Sequence, residues 1–403
     1  MSHRRRVLLI GALLVLLLIS GGIWASVQEA SAAGGNYVVL GWNNLGMHCY
    51  NKDFRDMAVL PPYNTLWVQV VKKGNPPTVV TSGITVSYSF QNNTYSAGKT
   101  NFWKYAKPLF GVSLAPNIGL TGLGLKGKMT FDTDHYVAEG IPLTEFNDTT
   151  PTVRQPYQLA KIVVKDSTTG VVLGRQTVVA PVSSEMRCDL CHKDGGSANP
   201  GIKTGRVGTN ILTLHDRRQG THLMSQRPVL CATCHASNAL GAAGQPGVMN
   251  LSNAMHTQHT GVVANNINGC YNCHPGPTTR CLRDVMSTEE GMTCLTCHGP
   301  INKVAKNPSP WLNEPRCDSC HDQALNNPLY RLSTGHGGLY CEACHDSTHA
   351  IAPSRVARDG LKFIALQGSN GPLEKCTVCH TVMSGGNLQA ADIMKLHATS
   401  GGQ

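Results

Sequence analysis

Apolar and polar positions divide the chain into three stretches of different character. Behind Arg4, Arg5 and Arg6 lies an unbroken apolar run from Val7 to Ile19, and the small residues Ala30, Ser31 and Ala32 follow it. That order is the pattern of a secretory signal peptide with an Ala-x-Ala cleavage site, which assigns residues 1–32 to export. The uncharged stretch Val7 to Val27 is also long enough to cross a bilayer, so an uncleaved anchor is the competing reading. From residue 36 to 184 the apolar positions fall in short runs rich in β-branched and aromatic residues, separated by Pro, Gly and Asn clusters. These predict strands at Tyr37 to Leu40, Leu66 to Val71, Ile84 to Phe90, Gly127 to Phe131 and Leu159 to Val164. Asp166-Ser-Thr-Thr-Gly170 supplies turn chemistry between Val163-Val164 and the runs Val171 to Leu173 and Thr177 to Val179, which predicts a hairpin. The spacing is that of an all-β, sandwich-like domain.

From about Met186 the periodicity disappears. What replaces it is a repeat: Cys-x-x-Cys-His occurs seven times, at Cys188–His192, Cys231–His235, Cys270–His274, Cys294–His298, Cys317–His321, Cys341–His345 and Cys376–His380. Two cysteines at this spacing form thioethers to the two vinyl groups of one haem, and the following histidine turns its imidazole onto the iron. The pairs are Cys188 and Cys191, Cys231 and Cys234, Cys270 and Cys273, Cys294 and Cys297, Cys317 and Cys320, Cys341 and Cys344, and Cys376 and Cys379. Cys-x-x-Cys pairs also build zinc knuckles, but zinc gives no reason for a histidine after the second cysteine in every copy. A thioredoxin-like pair belongs singly on a strand-to-helix unit. The expected cofactor is therefore covalent haem c, seven per chain. About 28 residues per motif is too little chain to enclose each cofactor separately, so the haems themselves are expected to form the core of a domain over 186–400, wrapped by short helices and loops. Motif starts at 270, 294, 317 and 341 predict a repeated placement of haem after haem.

A low-spin haem needs a sixth ligand, and this region holds seven histidines outside the motifs: His215, His222, His256, His259, His336, His349 and His397. Seven haems meet seven spare imidazoles. His256 and His259, three apart, would share one helix face and reach two neighbouring irons, and His397 ends another helical-looking stretch, Leu388 to His397. Met224, Met255, Met286 and Met292 are the competing ligands.

The run His336-Gly-Gly-Leu-Tyr-Cys341-Glu-Ala-Cys-His345-Asp-Ser-Thr-His349 resembles the close-packed repeats of exported bacterial multihaem c-type cytochromes, and the segments 214–222, 254–256 and 270–277 are similar to those of metal-respiring bacteria. The likeness covers roughly residues 186–400. It implies that His336 and His349 serve haems other than the one at Cys341. Asn44-Leu-Gly-Met-His-Cys49 is similar to the same proteins but brings no function with it.

Charge alters the picture little. The formal net charge is +10; loss of residues 1–32 removes three arginines and one glutamate and leaves +8. Fourteen haem propionates take that to −6 with every iron ferrous and to +1 with every iron ferric. Basic residues are scattered among the motifs rather than gathered into a stripe, which argues against a nucleic-acid partner. Only 14% of residues are charged, as suits a chain that buries its surface against porphyrin. Two cysteines remain outside the motifs. Cys49 and Cys281 are expected either as a disulfide, as a small metal or haem-ligating site at Met47-His48-Cys49, or with Cys281 as a thiolate ligand.

Three functions follow as expectations. The first is electron transfer between redox proteins in the periplasm or outside the cell, with no substrate site, including a version in which copies stack into a filament. The second is a reductase of a nitrogen or sulfur oxyanion with one open iron. The third is a docking or adhesion module in which Trp42, Trp67 and Trp103, read as strand-borne, offer a stacking surface. Membrane contact is expected only if the N-terminal segment stays uncleaved.

Overall fold

The computed structural model describes residues 35–307, 315–321 and 325–382. Residues 1–32, read above as a signal peptide, the stretch Leu388 to His397 and His397 itself lie outside the described residues.

Residues 37–183 fold into two five-stranded sheets. In the first, β4 (Thr65–Lys72) pairs antiparallel with β1 (Tyr37–Asn43) and β9 (His135–Glu139); β8 (Thr130–Asp132) extends the far side, and β5 (Thr78–Val79) pairs with the end of β4. In the second, β10 (Tyr157–Asp166) lies between β11 (Val172–Ser183) and β6 (Ile84–Phe90), with β7 (Lys126–Lys128) outside β6 and β2 (His48–Cys49) parallel to the end of β11. The β10–β11 turn is held by Asp166, whose Oδ1 accepts from the backbone N–H of Thr168 and Thr169 at 3.0 and 2.8 Å. Every predicted strand has its counterpart, although Gly127 to Phe131 is split between β7 and β8.

The inner faces share one core in which Val39, Val68 and Val70 meet Val86, Ile162, Val178 and Ala180. Gly41 lies where the sheets approach closely: a Cβ there would sit 2.5 Å from Ile162 Cδ1 and 3.0 Å from Val178 Cγ1. A strand covered on one side alternates in burial, as β10 does, but β1 is buried at six successive positions. Its second face, Val38, Leu40 and Trp42, packs with Val71 against Ala343 and Val378 from the C-terminal region.

One aromatic departs from its predicted setting. Trp103 lies on α1 (Phe102–Phe110), a helix hidden in the sequence by Pro108 within it. Its indole N–H donates to Ile118 O at 2.9 Å.

After Ser183 the chain forms short helices and turns joined by loops. It stays tied to the sheets: β12 (Val229–Leu230) pairs parallel with β3 (Met57–Ala58), and Gly74 bridges His380. Among the described residues no helix is long and apolar enough to cross a membrane.

Candidate functional site

The seven motifs share one backbone device. The N–H of His192, His235, His274, His321 and His380 each donates to the carbonyl of the motif's first cysteine, at 2.9, 3.0, 2.9, 2.9 and 2.9 Å. Cys294–His298 and Cys341–His345 are complete helical turns. A single turn brings both cysteines and the histidine to one side of the backbone, which is what bonding one planar ring and its metal requires.

Five motif histidines face a second imidazole. Ring centroids are 6.3 Å apart for His192 and His259, 6.3 Å for His215 and His235, 6.1 Å for His256 and His274, 6.2 Å for His298 and His349, and 6.0 Å for His336 and His380. Two imidazoles bound to one metal from opposite sides, each nitrogen about 2.0–2.1 Å from it, have ring centres about 6.3 Å apart. All five separations match that geometry, and so fit a bis-histidine iron. His256 and His259 leave the same helix, Leu251–His259, toward different motifs, and His336 and His349 stand opposite motifs other than the one between them.

Second contacts aim these rings. Nδ1 of His235 contacts Met249 O at 2.8 Å, His256 Ser252 O at 2.8 Å, and His215 Thr221 Oγ1 at 2.9 Å. Each contact fixes the tautomer that leaves Nε2 its lone pair. Burial lowers the pKa of His274 and His349 to about 4, with the nearby His256 and His298 adding to the effect on the respective rings, and it lowers His192, His215 and His298 as well. Burial thus favours the neutral form of these five rings, the form that binds metal.

The attachment cysteines succeed one another in space. Burial, reinforced by Cys188, pushes the Cys231 thiol up to about 12, and burial with Cys188 and Cys191 pushes Cys273 to about 11. Cys270 and Cys294 lie close enough to perturb one another, and Cys297 feels Cys320. Cys341, raised to about 11 by burial, feels Cys317; Cys344, raised to about 12, feels Cys379. The order is second, first, third, fourth, fifth, sixth, seventh motif, without a break.

Two candidate ligands stand apart. His222 and His321 are both exposed, and no ring among the described residues faces either. Met255 is 41% exposed. Cys49 and Cys281 are both half-buried free thiols in this structure. His48 stacks on Tyr63, and among the described residues no group of three or more His, Cys, Asp or Glu is placed to hold an ion. Trp42 is buried and Trp67 packs on Tyr340 and His135, so with Trp103 on a helix the three tryptophans make no common stacking surface.

Sequence reasoning missed the polar seam under the sixth motif. Glu342, between its two cysteines, is fully buried, and burial holds its pKa well above the carboxylate range. Lys362 reaches Glu342 O and Asp346 Oδ1, both at 3.3 Å. Gln69 of β4 receives the Tyr340 N–H at 3.0 Å and donates to Gly338 O at 3.1 Å. Nothing in the local sequence marks these residues, because their partners are up to 271 positions away.

No family model matches the chain, and no curated protein or solved structure matches it.

Proposed function

We propose that this chain is an exported electron relay built on seven covalently attached c-type haems, exchanging electrons with other redox proteins in the periplasm or at the cell surface. The observation that carries the reading is the set of five imidazole pairs at 6.0 to 6.3 Å, each containing one motif histidine. A bound haem supplies a one-electron iron couple. The chain's own residues do the rest. The paired cysteines anchor each ring edge, the motif histidine binds one side of the iron and the facing histidine the other, and the Nδ1 contacts hold both rings in place. Filling both sides leaves no place for substrate, which favours transfer over catalysis. The unbroken order of attachment cysteines gives a path with the second and seventh motifs at its ends.

The exposure of His222 and His321 favours a second reading of one position. The iron at the fifth motif is either completed by His222 of another copy, which joins chains head to tail into a filament, or left open to a small oxyanion as in a reductase.

Haem stoichiometry from the pyridine haemochrome, with low-temperature electron paramagnetic resonance of the oxidised protein, tests the proposal. Seven haems with at least six low-spin support the relay; a chain with unmodified cysteines overturns it. One high-spin haem that turns low-spin on raising protein concentration identifies the inter-chain ligand. One that stays high-spin and shifts with nitrite or cyanide moves the assignment to a reductase.

A further inference from the structure

The ligand-aiming contacts described above end on oxygen, with one exception. Nδ1 of His349, whose ring faces His298, meets the sulfur of Cys281 at 3.7 Å. A neutral sulfur is a weaker acceptor than a carbonyl. The placement is nonetheless closely determined. His349 holds a left-handed φ of 66°, and its carbonyl accepts the Arg283 N–H at 2.9 Å. Arg283 is fully buried; its guanidinium binds both oxygens of Asp359 at 2.7 and 3.1 Å, Cys281 O at 3.0 Å and Gly46 O at 3.1 Å.

That last contact brings in a third segment. Gly46, at φ +72°, is pressed onto the carbonyl of Thr348, where a Cβ would come within 2.0 Å, and three residues later Cys49 pairs with Ser183 of β11. Ser183 Oγ touches Thr279 Oγ1 at 3.0 Å, two residues before Cys281. The pairing of Cys49 with Ser183 and the Ser183–Thr279 contact therefore bring the segments of the two cysteines outside the motifs together, Cys49 lies within the electrostatic influence of Cys281, and Cys281 touches a candidate iron ligand.

We propose that Cys49 and Cys281 form a dithiol–disulfide couple that sets the donor strength of His349 and thereby the potential of the haem at the fourth motif. This rests on the haem reading given above. Oxidation removes one proton from each thiol and forms one S–S bond; the two electrons pass to two ferric haem irons of the same chain, which become ferrous. In the dithiol form the Cys281 sulfur accepts from His349 Nδ1–H, which makes the imidazole a better donor and favours the ferric iron. In the disulfide that sulfur turns toward Cys49, the Nδ1–H loses its partner, and the potential of this one haem rises.

The test uses the haem-loaded full chain, prepared in thiol and disulfide forms and freed of reductant, with the thiol state read by peptide mapping under non-reducing conditions. Spectropotentiometric titration is expected to move the midpoint of one haem in seven upward in the disulfide form. Cys49→Ser is expected to hold that haem at the dithiol value under oxidising conditions, and Cys281→Ala to hold it at the higher value under reducing ones. Superimposable titrations of the two wild-type forms overturn the proposal, as does failure to obtain a Cys49–Cys281 linked peptide under any oxidising condition. The wild-type comparison stands even if a variant fails to fold. Haem stoichiometry on the same samples separates this failure from failure of the relay reading, since a missing haem at Cys294 and Cys297 shows as unmodified cysteine.

Discussion

His48 is buried on β2 with its ring against Tyr63 and its Nε2 without a hydrogen-bond partner, and burial lowers its pKa from 6.5 to about 3. In the unfolded chain the ring binds a proton near pH 6.5, whereas in the folded chain it resists protonation down to about pH 3. The stability this provides is complete above pH 6.5 and is lost as pH falls toward 3. One such group gives a slope of about 1.4 kcal/mol per pH unit between the two values. Denaturant midpoints of wild type and His48→Phe at pH 7 and pH 4.5 check this: the variant is expected to lose markedly less stability on acidification. Arg283 sets a second expectation at this scale. Its ion pair with Asp359 is 0% and 2% exposed, and Arg283→Met leaves a carboxylate buried without its cation. Breaking such a pair costs about 3–5 kcal/mol, readable as a lower thermal midpoint.

At the scale of elements, the helix Leu251–His259 carries the most chemistry per residue. Asn250 caps it by accepting from the Asn253 N–H, and the Asn253 side chain donates to Ala305 O and Asn307 O, which fixes the helix against its neighbour. His256 and His259 then point to two motifs. Each of His256→Ala and His259→Ala is expected to turn one low-spin haem high-spin, at the third and first motif respectively, and the double variant two. Electron paramagnetic resonance counts them; no new high-spin signal in either single variant would remove this helix from the ligand set. Much of this was legible, because an i, i+3 spacing needs only helical geometry to place both rings on one side. The strands were legible for the same reason, since β-branched runs alternate over a half-buried sheet. β1 departs from that rule: its continuous burial reflects a second layer supplied by residues 343 and 378, which no local pattern announces. α1 was not legible, since Pro108 argues against a helix that tertiary packing of Phe102, Ala106 and Leu109 nonetheless stabilises. The partner of each motif was likewise beyond local pattern. Counting gives seven histidines for seven irons, but only the fold puts His349 opposite His298 and His336 opposite His380.

The whole molecule behaves as one interlocked body rather than a β-domain with a detachable haem domain. Val38, Leu40 and Trp42 form a floor under Ala343 and Val378, residues inside the sixth and seventh motifs. The seventh motif is also stitched to the first sheet, with Gly74 N–H donating to Cys379 O at 3.2 Å and Thr381 N–H to Gly74 O at 3.1 Å. Each aliphatic side chain buried in that floor contributes about 1.5–3 kcal/mol, so removing the sheet takes away both the cover and the backbone pairing at one end of the proposed relay. If residues 36–184 served only to dock the protein, a chain lacking them would keep all its haems and lose attachment alone. The packing leads to the opposite expectation. On the proposed reading, truncation should leave haems at the sixth and seventh motifs unprotected or unattached, while the first and third motifs, whose facing histidines lie on the helix Leu251–His259, keep theirs. Haem stoichiometry and peptide mapping of the truncated chain decide between the two. Seven haems with an unchanged low-spin spectrum would make the sheets a separable appendage, and loss confined to the sixth and seventh motifs would make them the wall of the relay's terminal pair.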